Sequence, residues 1–456
     1  MPKKKIDVET LVLTAVQKHF GRTSISDLVT ACRKFPSTTR VDLQQALEET
    51  FKTYENARLL GLHRTYSYGS QLTFSDFMDT DHNPLVIGPL QYDEIDVGEA
   101  LPARCLKQGL WIANDGPIPF SVLLTGAEHH GMEEGTNLEI TVPPGEEAMR
   151  FSHAFLNAVE KSVARTGSYK GKVISLEATS RYSGKAGAIR VHKLHTVARE
   201  DVILPSKTLQ LLERNVMDFI KQRARLSELG MPVKKGLLFY GPPGTGKTHT
   251  IHYLANQLPE HTTLLITAGQ VGLLEEYFLL ARFLQPAMVV IEDVDLIARD
   301  RESMGEACEE VLLNRLLNEM DGLREDAAVL FVLTTNRPEH LEAALASRPG
   351  RIDQAIEFPL PNKEGRRKLV ELYSRGMKIS KELSERIVAR TDHASPAFIK
   401  ELLRKGAQHL LQSHKKELLG EHVDLALEDM LFSGGSLNVK LLGGAIGAGT
   451  NGGKEQ

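Results

Sequence analysis

The segment Gly241-Pro242-Pro243-Gly244-Thr245-Gly246-Lys247-Thr248 gathers glycines, a lysine and a hydroxyl in the spacing G-x-x-x-x-G-K-[ST]. Glycines let successive backbone N–H groups turn toward one anion at a helix N-terminus. Lys247 adds a point charge for the β- and γ-phosphates of a nucleotide, and the Thr248 hydroxyl suits Mg²⁺. Two other groups sit at the ends of apolar runs. Met288-Val289-Val290-Ile291 leads into Glu292-Asp293-Val294-Asp295, and Leu330–Thr335 leads into Asn336. One carboxylate can hold the Mg²⁺ shell while the next polarises a water for in-line attack. The residues alone leave open which of Glu292 and Asp293 takes which role. Asn336 can bond that water or the γ-phosphate. Ser347-Arg348-Pro349-Gly350-Arg351-Ile352-Asp353 adds two guanidinium groups. Arginine stabilises charge on a transferring phosphoryl group, an effect of about 10³–10⁵ in rate where it operates.

These groups need elements to position them. The loop follows the apolar strand Leu237–Tyr240 and precedes a helical stretch, His249 to Gln257, so His249 joins the nucleotide-binding set. Apolar strands alternating with helices imply a parallel sheet, with ligands at the carboxyl ends of its strands. The expected fold is an α/β P-loop NTPase core over 206–360, introduced by an amphipathic helix through Leu209, Leu212, Val216, Phe219 and Ile220. An all-helical lid follows over 361–433, with Ser395 as an N-cap before Pro396. A Gly-rich tail covers 434–456. Within the core, Leu273–Leu284 reads as helix, with Tyr277 and Phe278 as core residues.

The upstream part is an N-terminal α+β region with no catalytic constellation. Residues 1–60 read as helical, from Val8, Leu11, Val12, Ala15 and Val16 and from a second periodic stretch, Val41 to Phe51. Residues 61–205 read as mixed α+β. Leu138–Val142 alternates as a strand, and Phe151, Phe155, Val159 and Val163 mark one face of a helix. Lys172–Thr179 and Ala188–Val197 read as further strands, the latter carrying His192 and His195.

Composition removes several function classes. The 456 residues are 41% hydrophobic and 25% charged, which excludes generic disorder. With 55 basic and 59 acidic residues the net charge is −4, so the bulk charge gives no grip on nucleic acid or anionic membrane. A helix-turn-helix DNA reader in the first segment would lack a concentrated basic face. Cys32, Cys105 and Cys308 lie far apart, without metal or disulfide spacing, and His129-His130, His192 and His195 do not supply a ligand set. No apolar run reaches the ~18 residues of a membrane span, and the basic start lacks an apolar segment behind it. The expected setting is a reducing one, the cytosol, with no membrane and no nucleic-acid partner.

Together these ordered motifs resemble the AAA family of ATPases, over roughly Asp201 to Ser433. The Glu292-Asp293-Val294-Asp295 order is most similar to the mitochondrial respiratory-complex assembly branch. The resemblance implies ATP and Mg²⁺ as cofactors, Gly241–Thr248 as Walker A, and a Walker B motif ending at Glu292-Asp293. It also implies a sensor-1 role for Asn336, and Arg348 and Arg351 as arginine fingers on ATP in a neighbouring subunit of a hexameric ring. Family members couple ATP turnover to remodelling or threading of a protein. The expected activity is therefore ATP hydrolysis acting on a protein partner that the sequence does not name. A nucleotide-dependent switch or scaffold with slow hydrolysis is the second reading, and a DNA-acting ATPase the third. Three departures stand out. Glu292 precedes Asp293 where most of the family has Asp then Glu; Asp293 is favoured as the carboxylate that polarises water, with Glu292 near Mg²⁺. Ser395-Pro396-Ala397 replaces Ser-Gly-Ala. The stretch from Gly269 to Glu292 is short for a pore loop with an aromatic grip.

Overall fold

The computed structural model describes residues 11–64, 72–78, 83–129, 132–178, 186–297, 316, 318–339 and 351–431. Arg348, His130, Cys308 and the tail 434–456 lie outside them. The chain divides into two compact units, Met1–Lys193 with Glu275–Leu284, and Leu194–Leu274 with Gln285–Gln456.

The first unit is built on a six-stranded sheet. Its strands are β1 (Val29–Phe35), β2 (Arg58–His63), β3 (Val86–Gly88), β6 (Gly109–Asp115), β7 (Ile118–His129) and β8 (Met132–Val142), in the order β1-β8-β7-β6-β2-β3. Every neighbouring pair is antiparallel. The helices α2 (Arg40–Lys52) and α3 (Glu146–Thr166) pack with this sheet. The α3 face expected from the sequence is buried through Phe155, Val159 and Val163, and Phe151 is partly buried. Phe51 stacks on Trp111 with ring centroids 5.0 Å apart, inside a cluster that includes Phe120, Ile140 and Phe155. A second cluster joins Val12, Val16 and Phe20 of α1 (Val12–Phe20) to Leu60, Leu62, Leu110 and Leu123. Two antiparallel pairs complete the unit, β4 (Tyr92–Ile95) with β5 (Ala103–Leu106), and β9 (Val173–Ala178) with β10 (Ala186–Val191).

Three sequence expectations change here. The first segment is not wholly helical, because Val29–Phe35 is a strand. Its inward positions are Val29, Ala31, Arg33 and Phe35, and Arg33 hides the alternation by placing a charge among apolar residues. That guanidinium bonds Glu160 at 2.7 Å and Asn157 at 3.0 Å. The strand starting near Ala188 begins at Ala186 and ends at Val191, so His192 and His195 lie beyond it. The helix α7 (Leu274–Phe283) contributes Glu275–Phe283 to this unit although its sequence interrupts the NTPase motifs. Tyr277 and Phe278 are both 0% exposed, in keeping with a core role. The Tyr277 hydroxyl accepts the Leu176 N–H at 2.7 Å.

The second unit opens with α4 (Ser206–Glu213), a π-helical turn over Arg214–Asp218, and α5 (Phe219–Glu228). Five strands then run parallel in the order β12 (Thr262–Ile266), β13 (Ala287–Ile291), β14 (Val329–Thr335), β11 (Lys235–Tyr240) and β15 (Gln354–Glu357). Every residue of β13 and β14 is buried, as expected of strands covered on both faces. The helix α6 (Lys247–Gln257) leaves the loop after β11, and the short α8 (Val294–Ile297) follows β13. The lid is α9 (Lys363–Tyr373), α10 (Lys381–Arg390), α11 (Pro396–Gln412) and α12 (Gly420–Leu431), which share one apolar cluster. It is not all helix: Lys378–Ile379 pairs with Glu417–Leu418, two segments too short to show a period in sequence.

Candidate active site

The glycines expected to free the loop backbone do so. Gly241, Gly244 and Gly246 have φ of 142°, 74° and 100°, a region L side chains rarely enter. Gly241 has a second reason, since a Cβ there would lie 2.3 Å from the Phe358 carbonyl oxygen. The turn ends at the first residue of α6, Lys247, which is 6% exposed. Its ammonium donates to the carbonyls of Gly241 (2.7 Å) and Pro242 (3.0 Å) and to Asn336 Oδ1 (2.8 Å). Burial pulls its pKa down to about 8, against the opposing pull of Asp293 and Asp295.

The carboxylates arrive from β13, which β14 separates from β11. Glu292 Oε1 accepts the Thr248 hydroxyl at 2.6 Å, so the two residues proposed for Mg²⁺ meet. Asp293 lies in the left-handed region at φ 48°, which turns its carboxylate toward β14. There Asp293 Oδ1 accepts Asn336 Nδ2 at 3.1 Å, while its backbone N–H donates to the Thr334 hydroxyl at 2.9 Å. Burial raises the Asp293 pKa first, and the charges of Asp295 and Glu292 raise it further, while Lys247 and Asn336 oppose. The Asn336 amide thus spans Lys247 and Asp293.

A cavity of about 400 Å³ opens over these groups. Pro243–Thr250, which includes Thr245, Thr248 and His249, lines it with Asp293, Thr334 and Asn336. Asp201–Leu204, Leu369, Tyr373, Pro396, Ala397 and Lys400 complete the lining. Apart from Pro396 and Ala397, which the sequence placed only as lid residues, none of that second group was singled out from sequence. They are common residue types from three separated segments, and the sole signal is the Leu369/Tyr373 spacing on one helix face. Ser395 caps α11 by accepting the Phe398 N–H at 3.1 Å, and Ala397 N–H donates to the Gly244 carbonyl at 3.2 Å. Pro396 at the first helical position has no N–H to give.

Oxygen ligands from Thr248 and Glu292 suit a hard divalent cation, and a desolvated ammonium bonded only to neutral oxygens suits an added phosphate. The residues therefore fit a Mg²⁺–nucleotide.

Arg351 is elsewhere. Its backbone faces Gly236, where a Cβ would lie 2.1 Å from the Arg351 carbonyl oxygen, and Asp353 N–H donates to the Gly236 carbonyl at 2.8 Å. Gly236 is at the start of β11 and Gly241 follows its end, a span of roughly 16 Å at about 3.3 Å per residue. The Arg351 side chain is 11% exposed and ion-pairs with Asp321, while its Nη1 has no hydrogen-bond partner among the described residues.

A family profile described as "ATPase family associated with various cellular activities (AAA)" matches residues 237–360. The chain is 33% identical over 233 residues to the proteasome-activating nucleotidase of Methanothermobacter thermautotrophicus, covering 48% of this chain and 53% of that protein. It is 30% identical over 256 residues to the 26S proteasome regulatory subunit 6A of Schizosaccharomyces pombe, covering 53% and 58%. It is 32% identical over 231 residues to a chloroplastic ATP-dependent zinc metalloprotease, FTSH 1 of Oryza sativa subsp. japonica, covering 48% and 33%. The chain thus spans from a third to under two thirds of the length of these relatives. The respiratory-assembly branch rests on the Glu292–Asp295 tetrapeptide alone. The profile runs from within β11 through the phosphate loop, Glu292-Asp293 and Asn336, so residues 237–360 of the chain carry an AAA domain.

Proposed function

We propose that this protein binds ATP with Mg²⁺ and hydrolyses it as a homo-oligomer, a hexameric ring by family resemblance, to remodel a protein partner. The observation that carries the reading is the convergence of Lys247, Thr248, Asp293 and Asn336 on one cavity, with Glu292 bonded to the Thr248 hydroxyl. Bound Mg²⁺–ATP supplies the electrophilic phosphoryl group and part of its charge neutralisation. The backbone N–H groups of the phosphate loop and Lys247 bind phosphate, Lys247 exchanging its neutral oxygens for charged ones. Thr248 and Glu292 hold the cation. Asp293, the carboxylate with the raised pKa, orients the attacking water and accepts its proton, and Asn336 fixes the water's position.

The roughly 16 Å between Arg351 and its own phosphate loop is longer than an arginine side chain reaches. That distance supports, for Arg351, the role that the family resemblance implies for Arg348 and Arg351, on a nucleotide held by a neighbouring copy. Mixing Arg351→Ala with Lys247→Ala chains tests this: shared sites regain part of the turnover that either variant lacks alone. Absence of rescue at every ratio removes action in trans. Burial of Tyr277 and Phe278 argues against those rings gripping a threaded chain, and favours remodelling by movement of whole units. A slow nucleotide switch is the second reading, favoured by that burial; stimulation of turnover by a protein substrate removes it. The free thiols of Cys32 and Cys105 fit a reducing, cytosolic setting.

A further inference from the structure

Asn336 is the group in the candidate site that touches both Lys247 and Asp293, at 2.8 and 3.1 Å. Its side chain can do so only if its backbone is held at the right height above β13. The strand end supplies one half of the fixation. Thr334 and Thr335 are 2% and 0% exposed, and their hydroxyls bind the turn that follows β13. The Thr334 hydroxyl accepts the Asp293 N–H, and the Thr335 hydroxyl donates to Asp295 Oδ1 at 2.9 Å while accepting the Arg337 N–H at 2.9 Å. The same Asp295 Oδ1 accepts the Asn336 backbone N–H at 3.1 Å. Asp295 is 8% exposed and is not among the residues that line the cavity. It lies off the cavity, yet its carboxylate holds the Asn336 backbone N–H.

We propose that Asp295 is a positioning residue for hydrolysis, a buried acceptor that registers the Asn336 end of β14 against the carboxylate turn of β13. The inference rests on the hydrolytic reading above. Without Asp295, the Asn336 N–H and the Thr335 hydroxyl lose their shared acceptor, and the amide drifts from Lys247 and Asp293. A misplacement near 1 Å at a reacting group costs about 10²-fold in rate. Binding of nucleotide, made by the phosphate loop, is left in place.

The experiment compares Asp295→Ala and Asp295→Asn in the full chain. Nucleotide affinity is read with a fluorescent non-hydrolysable ATP analogue, and kcat by phosphate release. Asp295→Ala is expected to lower kcat about 10–100-fold with affinity changed by less than about threefold. Asp295→Asn keeps an oxygen able to accept both donors and is expected to restore kcat to within about fivefold of wild type. Wild-type kcat in Asp295→Ala overturns the proposal. So does an affinity loss equal to the kcat loss, which marks a general structural role, or an Asn variant as slow as Ala, which marks a need for charge. If Asp295→Ala fails to fold, Thr335→Val decides: it is expected to lower kcat, with Thr335→Ser restoring it, and an unchanged rate in Thr335→Val refutes the idea. A wild-type protein without turnover defeats the hydrolytic reading, whereas normal turnover in both wild type and Asp295→Ala defeats only this one.

Discussion

Gly244 is where the phosphate loop meets the lid, and Gly244→Ala perturbs that contact with one methyl group. Two contributions add. Gly244 has φ 74°, and a Cβ residue in the left-handed region costs about 1–2 kcal/mol. The new methyl would also lie 2.8 Å from Ala397 Cβ and 3.1 Å from Ser395 Oγ, below ordinary contact. Ser395 cannot yield easily, because it is 0% exposed and its hydroxyl caps α11. Overpacking of this kind costs about 1–3 kcal/mol. The sum, roughly 2–5 kcal/mol, corresponds to a nucleotide affinity lowered between about 30-fold and a few thousand-fold if the loop must hold its bound shape. Ala397→Gly removes the facing methyl and gives a way to separate the two parts. In a double-mutant cycle read by calorimetric titration with a non-hydrolysable ATP analogue, the pair is expected to recover at least about 1 kcal/mol, leaving the backbone part behind. Thermal unfolding of all four proteins checks that the loss is in binding. Additivity within about 0.5 kcal/mol would show that loop and lid do not touch at this point, and would refute the reasoning.

Lys247 gives a pH signature. Its pKa of about 8 rises when phosphate replaces neutral oxygens, so binding above pH 8 takes up a proton and affinity falls as pH rises. Titrations at pH 9 in buffers of different ionisation enthalpy are expected to show proton uptake that is absent at pH 7. His261 gives a stability signature. Burial first, then the Arg223 charge, lowers its pKa to about 4 from 6.5, so the unfolded chain binds the proton more readily. Stability is full above pH 6.5 and falls as pH drops toward 4, by at most about 3 kcal/mol, and His261→Gln is expected to flatten that part of the denaturation profile. Tyr277→Phe removes the hydroxyl that accepts the Leu176 N–H and is expected to destabilise by about 0.5–1.5 kcal/mol while leaving nucleotide affinity within about twofold, as seen by denaturant unfolding and titration.

The geometry of the phosphate loop was legible because it depends on residues with few substitutes. Left-handed backbone needs Gly241, Gly244 and Gly246, and a desolvated phosphate needs Lys247. Glu292, Asp293 and Asn336 were legible from their place at the ends of unbroken apolar strands. The rest of the cavity lining was not, since Asp201–Leu204, Leu369, Tyr373 and Lys400 are brought together only by folding of the lid onto the core. Asp295 read as one more charge in an acidic run, and only its burial and two donors distinguish it. In the first unit, Arg33 among the inward positions of β1 concealed a strand that Val29, Ala31 and Phe35 would otherwise have announced. The membership of α7 in that unit depends on tertiary packing around Tyr277, and no local spacing encodes it.

The most direct measurement sets ATP binding beside Mg²⁺-dependent phosphate release for the wild type, Lys247→Ala and Asp293→Asn. The wild type is expected to bind and turn over. Lys247→Ala is expected to lose binding, and Asp293→Asn to bind within about threefold of wild type while turnover falls about 10²-fold or more, the usual contribution of a positioned proton acceptor. Full turnover by Asp293→Asn, or a wild type that binds Mg²⁺–ATP without ever releasing phosphate, would contradict the assignment of this cavity as a hydrolytic site.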